Sequence, residues 1–480
     1  MANTEKQGQV IGVPVPEEGS AEFEKMNKMA KKAIPLILLI FTFGILEQQA
    51  FGMIFVNIGD QLGSASLASL ITSIPGIILG IVCVIYGSLG DFVSLKKMTV
   101  LGVVIFVVGS VIGFLFGPMN IWVVIIARVL QAAGGQVAGS VFLVLVSKYI
   151  AKENRVIYYG IFVAVFRFSA ALGVVAAGYV AQIDWRWLFA APIVSVFFLP
   201  SLIKNLPDVK VEGANIDWAG FALIGAFAGA VTMFFTDMNA FWAISSVITL
   251  ILFIVYINKA KNPFITPEFF KNPAFIATMS VIFIGYFFSY TLNAGVNAIG
   301  LNVFHMNSAE VSNLLVWSIL LAAVLGFVCG PVVKRIGRSA AIIMALAFMG
   351  LGLVAIAFAI PYGAVAALGI APCIYYFGTS FFYSPIVDTA TLTVPPEESG
   401  RVLGANDLVQ AITGSVGVAV FGSMFSSGAL SGGSITGVDA GAASTYSNVF
   451  LIGGAIVLSA LIIFIFTKKM IYRYANSIKR

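Results

Sequence analysis

Residues 67–97 read LASLITSIPGIILGIVCVIYGSLGDFVSLKK, and this stretch decides the architecture. From Leu67 to Leu89 no side chain carries a charge, and a helix of that length spans the ~30 Å hydrocarbon core of a bilayer. The run ends in a tight turn, Gly87-Ser88-Leu89-Gly90-Asp91, closed by Lys96-Lys97. A cognate turn, Gly330-Pro331-Val332-Val333-Lys334-Arg335-Ile336-Gly337-Arg338, follows another apolar run far down the chain. Two such turns, each behind the second helix of a group, imply two homologous halves. Parallel halves around a midplane site suit alternating access.

Outward from this stretch, apolar runs of helix length recur throughout the 480 residues. Spans are expected near 33–58, 67–89, 98–116, 121–147, 156–182 and 187–204, then 217–236 and 240–258. Six more follow near 274–296, 309–331, 339–360, 362–386, 402–425 and 448–467. The expected fold class is therefore an all-α membrane protein with 14 transmembrane helices arranged 6+2+6. Its parts are a cytoplasmic tail (1–32), an N-terminal six-helix bundle (33–204), two inserted helices (217–258), a C-terminal six-helix bundle (274–467) and a basic cytoplasmic tail (468–480).

Composition agrees, since 60% of residues are hydrophobic, 10% are charged and mean hydropathy is +1.00. A soluble domain could not hide that much apolar surface. The net charge of +6 reflects topology rather than nucleic acid. With both termini inside, every lysine and arginine except Arg128, Arg167 and Arg186 falls in a cytoplasmic loop or tail, as the positive-inside rule demands. The polar first residues, with no short apolar core, read as a tail leading into an uncleaved helix. Cys83, Cys329 and Cys373 lie singly in apolar runs, without metal-ligand spacing.

Charged residues inside apolar runs are the functional candidates, because each is costly there. Glu47, flanked by Gln48 and Gln49, falls near the middle of the first helix. It could handle a proton or substrate, or be held by Arg128 or Arg167. Arg128 needs an acceptor at its depth in the fourth helix, and Arg167 sits mid-helix between two phenylalanines as a candidate cavity cation. Asp407 is the second deep acid, whereas Asp388 lies nearer a helix end. Asp91, with Gly87, Gly90 and Lys96, forms a candidate gating loop: its carboxylate can cap or pair with a neighbouring helix in one conformation. Among abundant aromatics, Tyr375, Tyr376 and Tyr383 are dense enough to suggest a cavity wall.

The residues from about 33 to 467 resemble the fourteen-helix drug:proton antiporters of the major facilitator superfamily. That family's loop signature, Gly-x-Leu-x-Asp-Arg-x-Gly-Arg-Arg, is matched by Gly87, Leu89, Asp91 and Lys96, with Phe92, Ser94 and Leu95 departing from it. Its fourth-helix pattern, Arg-x-x-Gln-Gly, is matched by Arg128 and Gln131, with Ala132 replacing glycine. The fifth-helix pattern, Gly-Pro-x-x-Gly-Gly, survives only in Gly173 and Gly178. Trp185-Arg186-Trp187-Leu188-Phe189 with Pro192 also looks like a segment common in the family.

The resemblance implies a multi-pass protein of a bacterial cytoplasmic (inner) membrane, not an enzyme, that exports amphipathic compounds by proton-coupled antiport. It gives Arg128 a part in proton coupling; Glu47 and Asp407, the deep acids read from the apolar runs, are the other coupling candidates. Glu47, Gln48, Gln131, Arg167, Tyr375, Tyr376 and Tyr383 would line the substrate cavity. Expected partners are a small-molecule substrate, protons and the lipid bilayer, with no nucleic acid, no metal and no cofactor beyond the proton gradient, and the protein is expected to be a monomer. The alternative is a specific carrier of an organic anion or zwitterionic metabolite, by antiport, symport or facilitated diffusion, with Arg167 binding it. A membrane enzyme would need clustered His, Cys or carboxylates; a channel would show pore repeats or charged rings.

Overall fold

The computed structural model describes residues 19–89, 94–207, 217–260, 263, 265–394 and 399–478, and these contain helices and turns with no strand. The helices of the first half are α1 (Ala21–Gln61), α2 (Leu70–Leu89), α3 (Leu95–Phe116), α4 (Ile121–Tyr149), α5 (Lys152–Ile183), α6 (Trp187–Ala190) and α7 (Leu199–Asn205). Next come α8 (Trp218–Asp237), α9 (Ala240–Lys259) and the short α10 (Pro267–Lys271). The second half holds α11 (Pro273–Gly285), α12 (Thr291–Asn302), α13 (Ser308–Ile336), α14 (Arg338–Ala359), α15 (Ala371–Thr391), α16 (Ser399–Ser426) and α17 (Ala442–Ile478). Among the described residues 13 helical stretches are long and apolar enough to cross a membrane, one of them joining α6 and α7 through 3-10 turns.

At three places the helices run past or break within the expected bounds. Helix starts inside the segment expected as the N-terminal tail: Ser20 accepts from the Phe23 amide, Glu22 and Glu24 occupy the first turn, and α1 is helical from Ala21. A side-chain cap and early acids favour a helix start at that point. The tail expected from residue 468 is likewise helical as far as Ile478. The span expected at 274–296 is broken into α11 and α12, with residues 286–290 turning between them. There the Ser289 hydroxyl donates to the Tyr286 carbonyl at 2.6 Å, a local bond that competes with the helical ladder. At Gly417 of α16 a Cβ would stand 1.8 Å from the Phe287 carbonyl oxygen, so only glycine lets α16 approach the break.

The halves repeat each other in packing as well as sequence. Gly134 of α4 lies against the backbone of Gly102 and Phe106 on α3, and Gly378 of α15 lies against that of Ala345 and Met349 on α14. The offset between these contacts matches the offset from Gly87 to Gly330 to within one residue. The halves meet where α1 packs on α12, α5 on α13 and α2 on α16. The inserted hairpin covers one seam: Phe221 and Ala228 of α8 pack with Ile77, Ile81 and Ile85 of α2 and Leu408 of α16.

At the end of the bundle where α5 finishes and α13 begins, the halves are laced together. Gln182 donates to Asn307 at 2.8 Å, Tyr179 to Asn313 at 3.1 Å, and the Ser312 hydroxyl to the Val174 carbonyl at 2.9 Å. A Cβ at Gly178 would lie 2.2 Å from that Ser312 oxygen. Just beyond, Arg186 pairs with Asp184, and its guanidinium holds the Asp184 carboxyl below the usual carboxylate range.

Of the candidate gating loop, Gly87 sits in the last turn of α2 and Lys96 in the first turn of α3, while Gly90 and Asp91 lie outside the described residues. In the cognate turn, Arg338 opens α14 and pairs with Asp388 of α15.

Candidate functional site

Two polar clusters lie in the interior. The first is internal to the N-terminal half. Glu47 of α1 and Arg128 of α4 form an ion pair at 3.3 Å, with side chains 1% and 6% exposed. Gln131, one turn along α4, links both: its carbonyl accepts from the same Arg128 nitrogen at 2.7 Å and its amide donates to Glu47 at 2.7 Å. The amide also donates to the Ser110 hydroxyl of α3 at 2.9 Å. Arg128 lies over the Phe51 ring at 4.5 Å, a contact that helps hold a guanidinium away from water. Its Nε is buried without an acceptor, and its hydrogen bonds to Glu47 and Gln131 both leave from Nη1. Glu47 is thus held by Arg128 and not by Arg167.

A guanidinium needs an acceptor at this depth; Glu47 supplies the charge, Gln131 bonds both members and is itself held by Ser110, and the Nε of Arg128 stays unpartnered. The repeat of the second half has no counterpart. By the α4-to-α15 offset, the positions equivalent to Arg128 and Gln131 are Pro372 and Tyr375. The polar network is therefore an asymmetric addition to a symmetric frame.

The second cluster lies between the halves. Arg167 of α5 packs on the Phe166 ring at 5.8 Å and lies in electrostatic range of Tyr286, Tyr376 and Cys329. Asp407 of α16 accepts from Asn406 at 2.9 Å, from Tyr383 at 3.5 Å and from the Cys83 thiol at 3.9 Å. Tyr286, its ring tilted against that of Phe382 with centroids 5.1 Å apart, is in range of both charges. Gln48 lies close to the Tyr290 hydroxyl. Tyr375 stands apart, 2% exposed with its hydroxyl unpartnered, its ring edge-on to Tyr376.

Several residues not singled out from sequence join the halves here. Asn293 donates to Gln49 at 3.1 Å and accepts from the Tyr376 hydroxyl at 2.6 Å. Asn297 donates to the Met53 carbonyl at 3.2 Å and to Asn57 at 3.3 Å. Both asparagines lie on α12, the piece created by the helix break. Their polarity within an apolar run was the available signal.

A sequence model of the Major Facilitator Superfamily matches residues 37–418. The chain belongs to this superfamily. Like its relatives it is a transporter, a multi-pass membrane protein rather than an enzyme. It is 25% identical over 387 residues to Multidrug resistance protein 3 of Bacillus subtilis (strain 168), covering 77% of this chain and 74% of that one. It is 22% identical over 472 residues to Quinolone resistance protein NorB of Staphylococcus aureus (strain MRSA252), covering 93% and 97%. Among solved structures, a peptide transporter POT in complex with sulfate superposes with TM-score 0.66 at 16% identity, covering 92% of this chain and 95% of that one. At that identity the likeness concerns the superfamily fold alone.

Proposed function

We propose that this chain exports amphipathic drugs or related small molecules in exchange for protons, by alternating access of its two halves. The observation that carries the proposal is the closed network that ties Glu47 of α1, a helix that also touches the other half, to Arg128 and Gln131 of α4. Within three turns of Glu47, the same α1 bonds to Asn293 and Asn297 through Gln49, Met53 and Asn57. Protonation of Glu47 discharges the ion pair and frees Arg128 and Gln131 to rearrange. A change of α1 against α4 then transmits to the contacts between halves. Depth matters, because a lone charge there costs about 2.5–3.5 kcal/mol, enough to make occupancy by a proton bias one conformation.

The drug-resistance relatives support export of amphipathic compounds. In this proposal the chain is a monomer of the bacterial cytoplasmic membrane with fourteen crossings, α11 and α12 together making one, and both termini in the cytoplasm. The proton gradient is its energy source and no cofactor takes part. The test is proton movement in proteoliposomes of purified protein, loaded with a pH-sensitive dye, on addition of a quinolone or a lipophilic cation across an imposed pH gradient. Substrate-dependent proton flux that is lost in Glu47→Gln is expected; substrate movement without any proton flux would overturn the coupling.

A further inference from the structure

We infer that the halves part along only one of their two edges: the α2–α16 edge stays in register through the transport cycle, strapped by the inserted hairpin α8–α9, and the α5–α13 edge does the opening. This rests on the alternating access proposed above and gives the inserted hairpin its task.

The two edges are repeats of each other. The offset that carries Gly87 to Gly330 carries Ser69 to Ser312, and the offset that carries Gly134 to Gly378 carries Gly178 to Gly422. At one end they also match in contact, since a Cβ at Gly422 would lie 3.2 Å from the Ser69 side chain, just as Gly178 closes on Ser312. Along α2 and α16 the contact then continues. Gly76 abuts Ser415, a Cβ at Gly80 would lie 2.5 Å from that of Ala411, and one at Gly404 would lie 3.4 Å from Val84. Cys83 meets Asp407 at 3.9 Å in the same register. Ser69 to Val84 is about 22 Å of helix, most of the hydrocarbon thickness of a bilayer. Small residues let the two backbones approach closely, and such packing is what holds helices together in lipid.

Along α5 and α13 the contact does not continue. Gly326 and Gly330 are the repeats of Cys83 and Gly87, and a Cβ at either would meet no atom of the described residues within 4 Å. Phe327, in the place of Val84, is 65% exposed. The repeat of Ala411 is Arg167, so the position that meets glycine on one edge carries a guanidinium on a long stem on the other. That side chain cannot enter a glycine-to-alanine contact.

The hairpin lies on the closed edge. Phe221 and Ala228 of α8 pack across Ile77, Ile81 and Ile85 of α2 and Leu408 of α16, and a Cβ at Gly225 would stand 2.8 Å from Ile81. Separating α2 from α16 would cost α8 its packing on one of them. Behind it α9, tied to the start of α8 by the Tyr256 hydroxyl donating to Asp217, exposes Ile244, Val247, Ile248 and Ile251 to lipid.

Disulfide trapping tests both edges in the full-length chain with its three native cysteines replaced by alanine. Val84→Cys with Gly404→Cys spans the strapped edge; Tyr179→Cys with Asn313→Cys, bridged by a short bis-methanethiosulfonate, spans the other. Norfloxacin and tetraphenylphosphonium are the transport probes in proteoliposomes. Closing the first pair should leave at least half the transport of its own reduced form, whereas closing the second should stop transport until it is reduced. In detergent, the transported probe should leave the rate of disulfide formation in Val84→Cys/Gly404→Cys unchanged within about two-fold and shift that in Val163→Cys/Phe327→Cys by about ten-fold, as a change in two-state population does. These rates decide even for a pair whose reduced form carries nothing. Gly225→Phe, which forces α8 off Ile81, should make the rate at the strapped edge respond to the probe. Loss of transport on closing the first pair, equal responses at the two edges, or no effect of Gly225→Phe would overturn the inference and leave the exporter reading standing. Movement of neither probe by the wild type would sink that reading, and the inference with it.

Discussion

Replacing Arg128 with leucine isolates the energetics of the buried network. In the wild type Glu47 is 1% exposed and has two partners, Arg128 at 3.3 Å and Gln131 at 2.7 Å. Arg128→Leu removes the compensating charge and leaves a carboxylate with an amide as its remaining donor. Breaking one side of a buried pair costs about 3–5 kcal/mol. Replacing both partners with apolar groups of similar size is often close to neutral, so Glu47→Leu/Arg128→Leu should recover most of that loss. A coupling of about 2 kcal/mol or more between the two sites is expected, within the range for residues in one network. Thermal unfolding in detergent, followed by intrinsic fluorescence, reads it out. With an unfolding entropy of about 2.1 cal/mol/K per residue, 480 residues give roughly 1 °C per kcal/mol, hence a drop of about 3–5 °C for the single variant and under about 2 °C for the double. Equal losses in single and double variants would refute the claim that Glu47 depends on Arg128 for its charge.

Other substitutions probe the frame around the site. Gly417→Ala places a Cβ 1.8 Å from the Phe287 carbonyl and must push α16 off the helix break; the overpacking should cost about 1–3 kcal/mol, measured as a lower unfolding midpoint. Gly178→Val cannot coexist with Ser312 at its present position, so it should bias the protein toward opening of that end, seen as faster maleimide labelling of an introduced Asn313→Cys; unchanged labelling would show that the α5–α13 contact is not a gate. Asn297→Leu removes bonds to Met53 and Asn57 and should shift the same labelling in the same direction by a few-fold. Asp388→Asn breaks a half-exposed pair with Arg338 and should change stability by no more than about 1 kcal/mol.

Much of the frame was legible because a bilayer makes hydropathy nearly sufficient. Helix boundaries within the runs followed from length alone, and the repeat of Gly87 at Gly330 anticipated the repeated glycine contact at Gly134 and Gly378. The break at residues 286–290 was not read from the sequence: Tyr286 to Tyr290 lies inside a run of spanning length, and its contact with α16 at Gly417 joins distant segments. The helical starts and ends outside the apolar runs were missed for a different reason, since Ser20, Glu22 and Glu24 signal a helix by capping and not by hydropathy. Within the interior, depth marked Glu47, Arg128, Arg167 and Asp407 as costly. Sequence could not assign partners, because Glu47 had two possible cations and only the packing of α1 on α4 selects Arg128. Asn293 and Asn297 went unnoticed because neutral amides are cheaper than charges and stand out less.

The most direct test is proton exchange on substrate binding in purified protein under weak buffering, without a membrane or a gradient. Norfloxacin and a lipophilic cation are each added to wild type and to Glu47→Gln, with binding followed in parallel by fluorescence. If Glu47 carries the exchanged proton, substrate binding changes the pH of the wild-type sample and leaves that of Glu47→Gln unchanged while binding persists. Equal proton exchange by the two proteins would contradict the role of Glu47 and move the coupling site elsewhere.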